Sequence, residues 1–167
     1  TNDMKNIRNF SYYTYRIGRI SDLKIDIQYP RAGDLTQELA DAIEQDFSDF
    51  EKALYSYDYD THDYGYQTRI DTESFLDYFI INEFTCNYDA GNLSTYIYKD
   101  IGGKYRMVIW DFNSACDNYT FPQTLPHHFE MQEVPWYLML CKDEEFIQDL
   151  IDRYHWLRER WLSDEYI

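Results

Sequence analysis

The amino-acid sequence predicts a mixed α+β fold, mostly helical, with one central β-hairpin and a few strands at its N-terminal end. Three observations carry that prediction. Apolar residues recur every three or four positions over 39–54 and again over 146–161, the run 72–84 is apolar almost all round, and two β-rich runs flank Ile101-Gly102-Gly103.

In chain order, residues 1–30 read as extended structure. Residues 10–16 are aromatic and alternating, and residues 23–29 alternate apolar with polar before Pro30, so Leu23, Ile25, Ile27 and Tyr29 form one expected buried face. Thr36 stands where a helix cap belongs, ahead of Leu39, Ile43, Phe47, Phe50 and Leu54 on one stripe. Glu38, Asp41, Glu44, Gln45 and Asp49 take the opposite, solvated face. Residues 55–67 form a polar loop punctuated by tyrosine. Its Asp58, Asp60 and Asp63 lack the glycine and distal glutamate of a calcium loop.

Asp71 or Thr72 opens a second helix through Phe75, Leu76, Tyr78, Phe79, Ile80, Ile81 and Phe84, which is expected to be central and buried. Glu83, near its end, is either an ion-paired buried carboxylate, a support for the following loop, or a structural hydrogen-bond acceptor for loop backbone. The hairpin strands are expected at 95–100 and 104–110, with glycine giving the positive φ of the turn. Residues 113–134, including His127 and His128, have no sustained period and read as a long irregular segment. Pro135 begins a last helical section, in which Phe146, Leu150, Tyr154, Leu157 and Trp161 mark a core-facing stripe and Arg153, Arg158 and Arg160 are expected at the surface.

With 31 acidic and 15 basic residues the formal net charge is -16, which argues against nucleic acid and anionic membrane surfaces as partners. No apolar run approaches the roughly 18–20 residues needed to cross a bilayer, so no membrane insertion is expected. Cys86, Cys116 and Cys141 have no zinc-like spacing; buried thiols are the preferred reading, with a Cys86–Cys116 disulfide at the hairpin base as the alternative.

A hairpin brings its outer ends together. Asp89, shortly before the first strand, and Asp111, just after the second, should therefore face one another, and two carboxylates at one end of a rigid ribbon suit a divalent cation and a phosphate chain. Protein kinases place a catalytic-loop aspartate, a hairpin and a metal-binding aspartate followed by phenylalanine in this order. Here the second element is Asp111-Phe112-Asn113 and no His-Arg-Asp precedes the first, which excludes a conventional kinase.

The wording of residues 82–115 is more specific. Asn-Tyr-Asp-Ala-Gly at 87–91, Ser-Thr-Tyr-Ile-Tyr-Lys-Asp at 94–100, Gly-Gly-Lys at 102–104 and Trp-Asp-Phe at 110–112 resemble the spore-coat protein H (CotH) family of atypical, secreted protein kinases. The likeness runs from about Asp22 onward through the strand 23–30, the helix 36–54, the helix 71–83 and the terminal run 135–163. It implies a kinase-like C-terminal lobe over 31–167, with residues 1–30 as the remnant strands of an incomplete small lobe. It also implies ATP and Mg²⁺ or Mn²⁺ as cofactors, serine or threonine of a secreted or coat protein as substrate, and an extracellular, cell-surface or spore-coat location in a bacterium.

By that resemblance Asp89 orients the incoming hydroxyl and accepts its proton, and Asp111 is the metal ligand. Asn92 or Ser94 is assigned to completing the cofactor site, and Asn113 to the metal as a neutral acceptor where the family tends to carry an acid. No glycine-rich loop and no lysine-bearing strand precede Asp22, so the chain is expected to be the C-terminal lobe of a longer protein, weak or inactive in isolation. The competing expectation is a non-catalytic kinase-like surface or scaffold module that binds protein or carbohydrate partners. A two-metal phosphohydrolase needs more clustered ligands than four scattered histidines provide.

Overall fold

The computed structural model describes residues 6–8, 24–87, 89–91, 94–118, 129 and 131–167. They form a mixed α+β structure, mostly helical, with a two-stranded antiparallel hairpin. The chain divides into two compact units, residues 1–66 and 67–167.

In the first unit, β1 (Asn6–Arg8) pairs antiparallel with β2 (Lys24–Asp26) in the register Asn6↔Asp26. The expected strand at 10–16 lies outside the described residues. Ile27 is buried as its alternation requires, but Tyr29 is 86% exposed, because pairing ends at Asp26 and the chain turns away at Tyr29-Pro30. Helix α1 (Gln37–Tyr55) starts where Thr36 accepts a hydrogen bond from the Leu39 N–H at 3.2 Å, satisfying one of the first turn's unpaired donors. Its buried stripe is Ala40, Phe47, Phe50, Glu51 and Leu54. Leu39, expected inside, lies in the first turn at the edge of that stripe and is partly exposed.

The second unit is organised on α2 (Thr72–Phe84), capped by the Asp71 carboxylate, which accepts from the Ser74 N–H at 3.0 Å. Phe75, Leu76, Tyr78, Phe79, Ile80 and Asn82 are all buried, as a helix apolar on most sides must be. The hairpin strands β3 (Tyr96–Tyr98) and β4 (Arg106–Val108) pair Tyr96 with Val108, Ile97 with Met107 and Tyr98 with Arg106. Gly102, at φ +72°, makes the turn in the left-handed region that glycine enters without steric cost.

The hairpin is stitched to the start of α2. The Asp71 N–H donates to the Tyr105 carbonyl and the Tyr105 N–H to the Arg69 carbonyl, both at 2.8 Å, while the Met107 N–H reaches the Ser74 hydroxyl at 3.3 Å. Asp71 also pairs with Arg106 at 3.5 Å. One carboxylate thus starts the helix and seats the strand beside it.

After a short helix α3 (Tyr137–Leu140), α4 (Glu144–Arg158) begins at Asp143, whose carboxylate accepts from the Glu145 N–H at 3.0 Å. Phe146 is fully buried, but Tyr154 and Trp161 of the same expected stripe are 40% and 50% exposed, so only the first turn of α4 is deep in the core. The rest of α4 is held by charge. Arg153, expected as a surface residue, grips Asp77 of α2 with two hydrogen bonds at 2.7 and 2.8 Å, pairs with Glu73 at 3.0 Å and lies over the Trp156 ring. Such a planar fork clamps two helices side by side where apolar burial runs out.

Tyr137 is the centre of the core. Its ring lies 5.7–6.4 Å from those of Phe75, Tyr78, Phe79 and Phe146, and its hydroxyl donates to the Phe75 carbonyl at 2.8 Å. Full burial pushes its ionisation well above the usual phenol range.

Candidate functional site

The C-terminal end of α2 carries the two loops that hold the predicted aspartates. A helix leaves its last carbonyls without internal partners, and here both loops supply the donors. The Asn87 N–H donates to the Asn82 carbonyl at 2.9 Å, and the Asn87 amide donates to the Asn82 side chain at 2.9 Å, with Asn82 in turn bonded to the Tyr78 carbonyl at 2.8 Å. The Ala90 N–H closes a turn on the Asn87 carbonyl at 3.1 Å, and Asp89 sits on that turn, half-buried.

Gly91 follows at φ +77°, packed so closely that an added Cβ would lie 2.6 Å from the Val134 side chain. Only glycine meets both demands. Glu83 resolves to a structural role, its carboxylate accepting from the Met131 N–H.

The second loop leaves β4 at Ile109 and Trp110, both exposed, and reaches Asp111 at φ 56°. The Asp111 carboxylate accepts from the Asn113 N–H at 3.2 Å, an Asx turn that tolerates this left-handed conformation. The Ala115 N–H then donates to the Phe112 carbonyl at 3.1 Å, and the Asn118 amide to the Asn113 carbonyl at 2.8 Å. The Cys116 N–H donates to the Thr85 carbonyl at 2.5 Å, which ties the loop to the end of α2.

Between the loops stands Ser114, buried, with its hydroxyl 2.8 Å from an Asp89 carboxylate oxygen and 3.2 Å from the Asn113 side-chain amide. A serine hydroxyl has one proton to give. Both neighbours are acceptors, an Asp89 carboxylate oxygen and the Asn113 side-chain oxygen, and donation to the carboxylate is the stronger, charge-assisted bond. The aspartates are thereby joined through Ser114 and Asn113.

Of the predicted residues, Asp89, Asp111 and Asn113 thus meet in one hydrogen-bonded set. Ser94 lies half-buried on the bend before β3, one residue from Thr95, whose hydroxyl is 3.4 Å from the Tyr78 phenol. Asn92 lies outside the described residues, as do His127 and His128. Ser114 was not legible in the sequence, because no local pattern marks a serine that bridges two loops. Asn82 did leave a signal, an amide inside an otherwise apolar helix. Four residues of these loops, Cys86, Asp111, Cys116 and Asp117, occupy positive φ without being glycine. Strain of this kind is tolerated where surrounding structure enforces it, and it gathers at functional loops.

Among the described residues no group of three or more His, Cys, Asp and Glu side chains is placed to hold a metal ion. Any cation here would rely on a pair of carboxylates, an amide oxygen and the oxygens of its substrate, which is how Mg²⁺ is commonly held.

The family model described as CotH kinase protein matches residues 3–167. The chain belongs to the CotH kinase protein family. Membership of a kinase family implies ATP as the phosphoryl donor. No match to the chain was found among curated proteins or among solved structures. No helix among the described residues is long and apolar enough to cross a membrane.

The three cysteines of this CotH family chain form no disulfide in the structure, and they are less buried than the sequence suggests: Cys86 and Cys116 are exposed and Cys141 is partly so. The reason is their place, on the outer surface of the two loops for the first pair and just past α3 for the third.

Proposed function

We propose that the chain is part of an atypical secreted protein kinase that transfers the γ-phosphate of ATP to serine or threonine hydroxyls of extracellular, cell-surface or spore-coat proteins in a bacterium. In this reading residues 31–167 supply the C-terminal lobe of a kinase-like domain and residues 1–30 contribute strands to its small lobe. One observation supports it above the rest: in a chain of this family, Asp89 and Asp111 are linked through Ser114 and Asn113 at the base of one hairpin.

The donor set fits a hard divalent cation, being made of carboxylate and amide oxygens. When bound, ATP supplies the phosphoryl group, and Mg²⁺ or Mn²⁺ neutralises the charge on its oxygens. Asp111 would hold the cation through the carboxylate oxygen not used in its turn, and Asn113 through its amide oxygen. Ser94, half-buried just before β3, is assigned to the nucleotide side; Asn92, assigned there by the same resemblance, lies outside the described residues. Asp89, with one oxygen held by Ser114, presents the other to the substrate hydroxyl, orients it and takes its proton as the new P–O bond forms and ADP departs.

The test is phosphate incorporation by the full-length parent protein with ATP and Mg²⁺ or Mn²⁺, read by mass spectrometry on that protein and on added acceptor proteins. Asp89→Ala and Asp111→Ala are each expected to reduce it by at least about a hundredfold. Undiminished incorporation in both variants would falsify the assigned roles.

A second reading is a kinase-like module that binds protein or carbohydrate without catalysis. It is favoured by the exposed Tyr96 and Trp110 rings, 5.3 Å apart, and by the neutral Asn113. Trp110 adjoins Asp111, so its fluorescence discriminates the two. A change on adding Mg²⁺ or Mn²⁺ that disappears in Asp111→Asn supports the kinase; no response to Mg²⁺, Mn²⁺ or Ca²⁺, with or without ATP, selects the module.

A further inference from the structure

We propose that Cys86 and Cys116 are a disulfide-forming pair that, when oxidised, covalently joins the loop of Asp89 to the loop of Asp111. The argument starts from the hydrogen bond between the Thr85 carbonyl and the Cys116 N–H, 2.5 Å long. In a trans peptide the carbonyl oxygen lies about 2.8 Å from the next Cα, and an amide nitrogen lies about 1.5 Å from its own. The Cα atoms of Cys86 and Cys116 are therefore no more than about 7 Å apart, at or within the span of about 4.4–6.8 Å over which disulfides usually close.

Both side chains are exposed, so a small oxidant reaches either sulfur. The Cys86 thiol donates to the Glu83 carbonyl of its own helix end at 3.6 Å, a weak bond that closure gives up. Both residues already occupy the left-handed region, at φ 49° and φ 54°, so the backbone on each side is held by the loops and not by the thiols. Cys141 is the contrast. It is partly buried just past α3, and burial followed by the charge of Glu83 pushes its pKa from 9.0 to about 11, which keeps it a thiol.

The chemistry is thiol–disulfide exchange with a small-molecule disulfide. One cysteine thiolate attacks that disulfide and expels the first small thiol, giving a mixed disulfide; the second cysteine displaces the remaining small thiol and closes the ring. Two S–H bonds and one S–S bond are exchanged for one S–S bond and two S–H bonds. The protein loses two hydrogens with two electrons, and the small disulfide gains them.

The consequence falls on the site. Cys86 precedes the Asn87–Ala90 turn that carries Asp89, and Cys116 lies two residues past Ser114, the group that holds the Asp89 carboxylate. The cross-link would fasten both loops at the same point where a single backbone hydrogen bond now joins them. The proposal stands apart from the phosphotransfer reading, since its test reads mass and labelling, with no activity measured.

The chain is equilibrated with oxidised and reduced glutathione, quenched with acid, and alkylated in urea. One alkylated cysteine, Cys141, is expected in the oxidised chain and three after full reduction. Digestion should yield a linked peptide pair containing Cys86 and Cys116, lighter than the separate peptides by two hydrogens. Cys86→Ser and Cys116→Ser should each abolish the link, and Cys141→Ser should leave it.

A thermal melt provides the independent readout. Closing a loop of this length should raise the midpoint by several degrees, with the gain lost on reduction and absent in Cys86→Ser. Three alkylated cysteines at every glutathione ratio, or links that involve Cys141, would overturn the assignment.

Discussion

The two ends of α2 are built on opposite principles. Its N-terminal half lies in an aromatic cage, where Phe75, Tyr78 and Phe79 surround the fully buried Tyr137 and Phe146 closes the far side. Its C-terminal end meets exposed loops whose residues sit at positive φ and whose contacts are hydrogen bonds between polar groups. One helix therefore serves as an anchor at one end and as a platform at the other. The difference teaches that stability and chemistry in this unit rest on separate sets of residues, and mutation should be able to part them.

The sharpest way to break the comparison is to empty the cage. Phe75→Ala should cost about 3–5 kcal/mol in urea unfolding, because the ring is wholly buried and its neighbours are rigid. Asp111→Asn, on an exposed loop, should cost less than about 1 kcal/mol. Equal losses in the two variants would mean that the loops are part of the core after all.

A smaller effect is expected at the seam between the two regions. Gly91→Ala places a methyl group against Val134 at a φ that alanine resists, so it should cost about 1–3 kcal/mol. It should also displace Asp89, two residues earlier, so phosphate incorporation should fall further than the stability loss explains. A stability loss with full incorporation would show that the Asp89 turn is positioned from Asn82 and Asn87 alone.

The smallest effect is one of pH. Burial raises the ionisation of Cys141 to about 11 and lifts those of Tyr137 and Tyr78. In the unfolded chain the thiol ionises from its usual 9.0, so between these values the unfolded state has lost a proton that the folded state still holds. Stability from this group is complete below pH 9 and is lost as the pH rises through about 11. Unfolding midpoints measured across that range should fall, less steeply in Cys141→Ser and with unchanged slope in Asp111→Asn.

Much of this was legible before any coordinates. The caps at Thr36 and Asp71, the hairpin with Gly102 at its turn and the burial of α2 all follow from patterns a few residues long, while the link between the Asp89 and Asp111 loops runs through Ser114 and Asn113. The misses share a cause. Tyr154 and Trp161 keep the helical period of a core stripe yet stay partly exposed, because period reports which residues share a face and not whether a neighbour covers it. Arg153 looked like solvent-facing charge until Asp77 and Glu73 were found beside it.

By itself, then, the sequence determined the local conformations: where helices begin, where the ribbon turns, and which two carboxylates the ribbon carries to its base. Backbone preferences, capping side chains and turn glycines act over a handful of residues, so they can be read from the order of residues alone. Tertiary structure alone decided that Ser114 holds Asp89, that Arg153 clamps two helices, and that the Cys116 N–H bonds to the Thr85 carbonyl. Those contacts join residues distant in the chain, and they exist only once buried aromatic packing has brought the segments together.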